Sequence, residues 1–198
     1  MVTALRKYAE SLDIWARSAS SRIIMDVALR DEKTWLIYAQ DMSKGIKDQI
    51  RNTDIGATYQ KLVNEQVGLI KSLPLTAAQR IQDLATRAVI EGGRSNEISG
   101  LIMSIGSVTK ARANTIARTE ISKATTLFTQ SRAEALGSDG YIWRDSGDSD
   151  VRHRHAELNG QYVPWDKPPV VDKKSGRRAH AGCDINCRCY PEPVIPED

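Results

Sequence analysis

The chain has 198 residues, a net charge of +3 and ordinary apolar content, with few aromatics and a single Phe, Phe128. That length allows one domain, or one domain with a helical extension, and suffices to bury a core. Three cysteines confined to residues 183–189 exclude a secreted disulfide framework. No apolar run approaches the ~20 residues of a membrane-spanning helix. Arg6, Lys7 and Glu10 begin a stretch with no signal-peptide core. The reading is a soluble protein made in a reducing cytoplasm. The first 138 residues hold 19 Lys/Arg against 14 Asp/Glu, and the last 60 hold 9 against 11. The helical part is therefore mildly basic, as a solvated face or as a contact for nucleic acid.

In chain order, residues 2–52 read as helical. Ala4, Leu5, Tyr8, Leu12 and Trp15 recur at three- and four-residue steps, followed by Ile23, Val27, Trp35, Tyr38, Met42, Ile46 and Ile50. Residues 31–34 form an exposed turn between two pieces. Asn52-Thr53-Asp54 caps a helix holding Tyr59, Leu62, Val63, Gln66 and Ile70, which Pro74 breaks. A capping box at 76–79 opens the next helix, with Ile81, Leu84, Ala85, Ala88 and Val89 on one face and a stop at Gly92-Gly93. Ser95 caps a shorter helix carrying Ile98, Leu101, Ile102 and Ile105, ended by Gly106. The clearest helix spans 107–136, with Ala117, Ile121, Ala124, Phe128, Ser131 and Ala135 as a narrow stripe and Gly137 as its terminator.

From Gly140 the pattern shortens. Tyr141 to Arg144 is a strand candidate, and residues 151–158 are a strand or a helical turn leading into Asn159-Gly160. Gln161-Tyr162-Val163 is the returning strand, residues 167–182 are irregular, and residues 187–190 form a last strand before a Pro-rich end. The expected class is mainly α with a small C-terminal α+β module. Residues 1–106 form a helical lead-in, and residues 107–198 a domain made of the long helix and a loop-rich module at 139–198.

All three histidines and all three cysteines lie after residue 152. Residues two apart on a strand share a face, so Cys187 and Cys189 can offer two thiolates to one ion, and His153 and His155 two imidazoles. Four such donors make a tetrahedral zinc site, with His180 and Cys183 as a further pair. The competing reading packs the cysteines as small buried apolar side chains. A Cys–His nucleophile oriented by Asp148, Asp150 or Asp184 is a second chemistry. A metal-dependent nuclease or other hydrolase using His155 with Asp145, Asp148 or Asp150 is a third. In the same loop those acids also serve as turn formers. Lys173, Lys174, Arg177 and Arg178 form a basic run able to meet phosphates.

Taken in order, Ile116-Ala117-Arg118-Thr119-Glu120, Trp143-Arg144-Asp145, Asp148, Arg152-x-x-His155-x-x-Leu158-x-Gly160 and Asn186-Cys187-Arg188-Cys189 resemble the phage head morphogenesis family, the minor head proteins similar to protein F of phage Mu. The resemblance covers about residues 107–193. It carries over Arg118, Glu120, Asp148, Arg152, His155, Asn186 and Arg188 as structural motif residues, with Cys187 and Cys189. Asp150 stands where an Arg is common and His153 where a Pro is common, so His153, His180 and Cys183 are not carried over. The resemblance implies a virion protein of low copy number, made in the host cytoplasm, without catalysis of its own. Its partners would be the portal protein and the capsid interior, in head assembly or early DNA delivery. Related domains also occur joined to toxin domains, and the expectation is that this chain carries none.

Overall fold

The computed structural model describes residues 2–40, 44–91 and 95–196, apart from the side chains of 81, 82 and 84–110. Five helices come first: α1 (Val2–Ser11), α2 (Asp13–Tyr38), α3 (Lys44–Asn52), α4 (Gly56–Glu91) and α5 (Ser95–Ala135). Short elements follow: β1 (Gly140–Arg144), α6 (His153–Leu158), β2 (Tyr162–Pro164), β3 (Val170–Asp172), β4 (Arg177–Arg178) and β5 (Tyr190–Val194). The fold is mainly helical with a small C-terminal α+β region, as the sequence indicates.

Several helix boundaries differ from the sequence reading. α2 runs unbroken through residues 31–34, because Asp31 is not a turn residue in solvent but is buried and ion-paired. α4 continues through Pro74. An interior proline costs a helix ~3 kcal/mol, a loss set here against the burial of Val63, Val67 and Ala78 along the same helix. The capping box at 76–79 therefore opens nothing, and the Gln79 amide donates instead to Asp83 Oδ1 at 2.9 Å. α5 likewise passes through Gly106, where glycine costs only ~1 kcal/mol relative to alanine. Met42, the stop at Gly92-Gly93 and the side-chain pattern expected over 81–105 lie outside the described residues. Two terminal signals are realised. Asp54 Oδ1 accepts the Gly56 amide at the start of α4, and Gly137 takes φ +82° just past α5, with Ser138 N–H bonded back to Ala133 O.

The chain divides into two compact units, Met1–Arg22 with Val63–Ala117, and Ile23–Leu62 with Arg118–Asp198. In the first, Ala9, Ala16, Val63, Val67 and Ala78 are buried. Asp13 accepts from Lys71 Nζ at 2.7 Å, and Arg17 reaches Asp13 and Asn64 at 3.3 Å each.

The second unit joins helical segments to the strands. Arg132 of α5, 1% exposed, donates to Asp31 Oδ2 of α2 at 2.8 Å and to the Ile50 carbonyl of α3. Thr129 Oγ1 donates to Asp31 Oδ1 at 2.7 Å. β1 is the central strand of a three-stranded antiparallel sheet ordered β2-β1-β5, with Tyr141 opposite Val163 and Pro193, and Trp143 opposite Pro191. β5 lies at an edge, where prolines that cannot donate to a ladder are tolerated. Residues 167–182, expected to be irregular, contain the β3-β4 hairpin. Tyr141 and Trp143 project from one face of β1 into a core with Ala133, Leu158, Val163, Trp165, Val171, Ala181, Cys187 and Cys189.

Candidate functional site

The His-rich stretch at 153–158 folds as a helix, which separates its two histidines. Residues two apart on a helix differ by ~200° in direction. His155 turns inward and is 2% exposed. The His153 side chain is 91% exposed and meets Glu157 Oε1 at 3.0 Å. Glu157 also accepts from Arg154 and Lys173, which hold its carboxyl down at about 2. The structure thus does not bring His153 to the cysteines.

Cys187 and Cys189 lie just before β5 rather than in a strand over 187–190 as expected, with the exposed Arg188 between them. Their alternation places both thiols inside, each residue 5% exposed. His155 Nδ1 lies 3.5 Å from each Sγ. The Cys189 amide also points at Cys187 Sγ, at 3.4 Å. The Trp143 ring lies T-shaped to that of His155, with centroids 5.6 Å apart at an interplanar angle of 79°. Within the pair, the hydrogen bond from Cys189 holds the Cys187 thiol well below the ordinary range despite burial, and His155 adds to this. The same bond and burial push Cys189 up. Cys183 is apart from this cluster, and burial pushes its thiol up to about 12.

The other ring nitrogen of His155 faces Asp184, with Nε2 3.4 Å from Oδ2. Asp184 is itself buried and is clamped by two guanidinium groups. Arg152 Nη1 is 3.1 Å from Oδ2 and Arg177 Nε is 2.9 Å from Oδ1. Arg152 also donates to the Ile185 carbonyl at 2.6 Å. Sequence reading named Asp184 only as one of several orienters for a catalytic ring. Its adjacency to the Asn186-Cys187-Arg188-Cys189 run was the available signal.

The remaining motif residues serve the same loop. Asn186 adopts φ +52°, and its N–H donates to Thr119 Oγ1 of α5 at 2.9 Å. Ser122 Oγ donates to the Cys187 carbonyl at 3.2 Å and Thr126 Oγ1 to the Ala181 carbonyl at 2.8 Å. Gly182, at φ +80°, passes so close that a Cβ would lie 2.5 Å from Thr126 Oγ1. The long helix therefore holds the cysteine loop through hydroxyls at 119, 122 and 126. Of the two charged residues that flank Thr119, Arg118 is exposed and Glu120 is buried on α5. The hydroxyl set was missed in the sequence, although its three- and four-residue spacing marks one helix face. Arg188 Nη2 reaches Asp148 Oδ1 at 2.8 Å and Asp150 Oδ2 at 3.5 Å. Asp145 and Asp148 accept the backbone N–H two residues on, closing turns, so these acids are not gathered around His155. His180 lies apart from the cluster, half-buried and bonded to the Tyr141 hydroxyl at 3.1 Å.

The family model of phage Mu protein F like proteins matches residues 79–191, more than half of the chain and all of the site just described. The chain belongs to that family. This Mu F-like protein is also 33% identical over 147 residues to an uncharacterized protein of Haemophilus influenzae strain Rd. The alignment covers 74% of this chain and 32% of the relative, so the chain spans about a third of the length of the protein it matches. No solved structure matches it. The family places the Mu F-like chain among phage head-related proteins.

Proposed function

We propose that this chain is a minor head protein of a phage, present in few copies, associated with the portal and the inner face of the capsid. In that role it acts in head assembly or early DNA delivery and carries no catalysis of its own. The observation that supports this reading is the span of the family match, which runs from the long helical region through the cysteine loop that α5 holds. The matched polar residues Arg152, Asn186 and Arg188 bind loop to loop or loop to helix in this fold, which suits an assembly module. Among the described residues no helix is long and apolar enough to cross a membrane. The basic excess of the first 138 residues adds packaged DNA as a contact, whose affinity should fall steeply with salt. A nuclease centred on His155 gains no support, because that ring is 2% exposed and flanked by thiols rather than by the acidic loop.

The test is the copy number of the polypeptide in purified heads before and after DNA packaging. A few copies per head at both stages is the expected result. Loss on packaging would move the role to a transient assembly factor, and absence at both stages would overturn the reading.

A further inference from the structure

The geometry points to a metal site: one tetrahedral dication of the zinc class, held by Nδ1 of His155 and the thiolates of Cys187 and Cys189, with Asp184 positioning the ring. This assignment does not depend on where in a virion the chain sits. Three observations carry it. The first is spacing. Bonds of ~2.3 Å to sulfur and ~2.0–2.1 Å to nitrogen, at a tetrahedral angle, separate the two donors by about 3.5–3.6 Å. Both sulfurs stand 3.5 Å from the ring nitrogen, and all three donor atoms lie within 4.8 Å of one another.

The second is valence. In either neutral tautomer Nδ1 makes one well-directed hydrogen bond, as donor or as acceptor. Two sulfurs equidistant from it leave one contact unmade unless a cation at the centre satisfies all three. The third is the far side of the ring. With Nδ1 on a metal the ring proton sits on Nε2, and Nε2 is a buried atom whose neighbour is the buried carboxylate of Asp184. Carboxylate, imidazole and metal in line is the arrangement that fixes the tautomer and strengthens the ligand.

Charge agrees. Two thiolates neutralise a dication once their protons leave to solvent, and Asp184 is separately balanced by Arg152 and Arg177. Two thiolates and an imidazole favour zinc-class ions over magnesium or calcium. His153 is not a ligand, since its side chain is 91% exposed. The ion joins α6 to the loop before β5, which α5 grips through Ser122 at the Cys187 carbonyl.

The experiment uses the full chain produced with added zinc, its metal content measured by plasma mass spectrometry, then stripped and titrated with Co(II). Expected are one equivalent of metal per chain, and a Co(II) form with sulfur-to-metal charge transfer and the visible bands of tetrahedral cobalt. Cys187→Ser and Cys189→Ser should each diminish the charge-transfer band. Because those variants can lose the fold outright, two milder ones decide. His153→Ala should keep the full spectrum, and Asp184→Asn should keep one equivalent while binding about 10–100-fold more weakly against a chromophoric chelator. A folded wild-type chain that takes up no tetrahedral Co(II) would overturn the site. Loss of the spectrum in His153→Ala would overturn the ligand set, and undiminished affinity in Asp184→Asn the positioning role.

Discussion

His180 occupies a place where a second ring proton is unwelcome. The Tyr141 hydroxyl accepts the Ala181 amide at 3.1 Å, which leaves its own proton for His180 Nδ1 at 3.1 Å. Burial lowers the His180 pKa below its ordinary value of 6.5, against the opposing pull of a bond to the Trp165 backbone. A depressed folded pKa means that the unfolded chain binds more protons in the window just below 6.5. The stabilisation is then complete above that value and is lost as pH falls toward the folded pKa. Urea unfolding at a series of pH values from about 7.5 to 5 should show that loss, and His180→Gln should flatten it. The Asp31–Arg132 pair makes a second point about single residues. Burial raises the Asp31 carboxyl even though Thr129 and Arg132 pull it down. Arg132→Met leaves that carboxylate buried alone and should cost about 3–5 kcal/mol in chemical denaturation. Asp31→Asn combined with Arg132→Met should recover much of it, and equal losses in the single and double variants would refute the pairing argument.

At the scale of the element, α5 is a helix with two working faces. Taking 100° per residue, Thr119, Ser122, Thr126 and Ala133 fall on one side, and Ala124, Phe128 and Arg132 roughly opposite. The first face grips the cysteine loop, and the second meets the segments that carry Asp31 and Ile50. Thr126→Val removes one buried bond and should cost about 1 kcal/mol. Gly182→Ala should cost more, since it adds backbone strain of about 1–3 kcal/mol at positive φ to the overlap with Thr126. A neutral Gly182→Ala in thermal unfolding would mean the loop does not sit against α5 as described.

The same helix shows what sequence can and cannot disclose. Its end at Gly137 and the strands around Tyr141 and Val163 were legible, because a terminator glycine and alternating aromatics act locally. The expected stripe holds at only two of its six positions. Ala124 and Phe128 are buried, but Ala117, Ile121 and Ala135 are exposed, since apolar spacing does not say which neighbours exist. Pro74 and Gly106 misled for a related reason, as a local penalty of ~1–3 kcal/mol can be outweighed by packing along a long helix. At the cluster, Cys187, Cys189 and His155 were legible as donor types. That His153 faces away depended on whether residues 153–158 were strand or helix, and that choice reverses which histidine turns inward.

At the scale of the whole chain, helical signal and aromatic packing report on different parts. α1 to α5 dominate the backbone signal, whereas Trp143 and Trp165 lie in the core beside the cysteines, with Trp35 packed against it. If the metal site is as proposed, a strong chelator should lower the unfolding midpoint and collapse the near-ultraviolet circular dichroism of those tryptophans. Most of the helical signal should survive, and readdition of zinc should restore the spectrum. An aromatic spectrum indifferent to chelation would show that the core needs no ion.

The buried pair of Asp31 and Arg132 has a consequence for synthesis. The two residues are 101 positions apart, so on a ribosome adding roughly 5–20 residues per second the carboxylate waits several seconds for its partner. During that interval α2 cannot bury this face without stranding a charge, at a cost of several kcal/mol. Early burial of this face of α2 is therefore disfavoured until α5 has been made. The order of translation is thereby written into the interior of the finished fold.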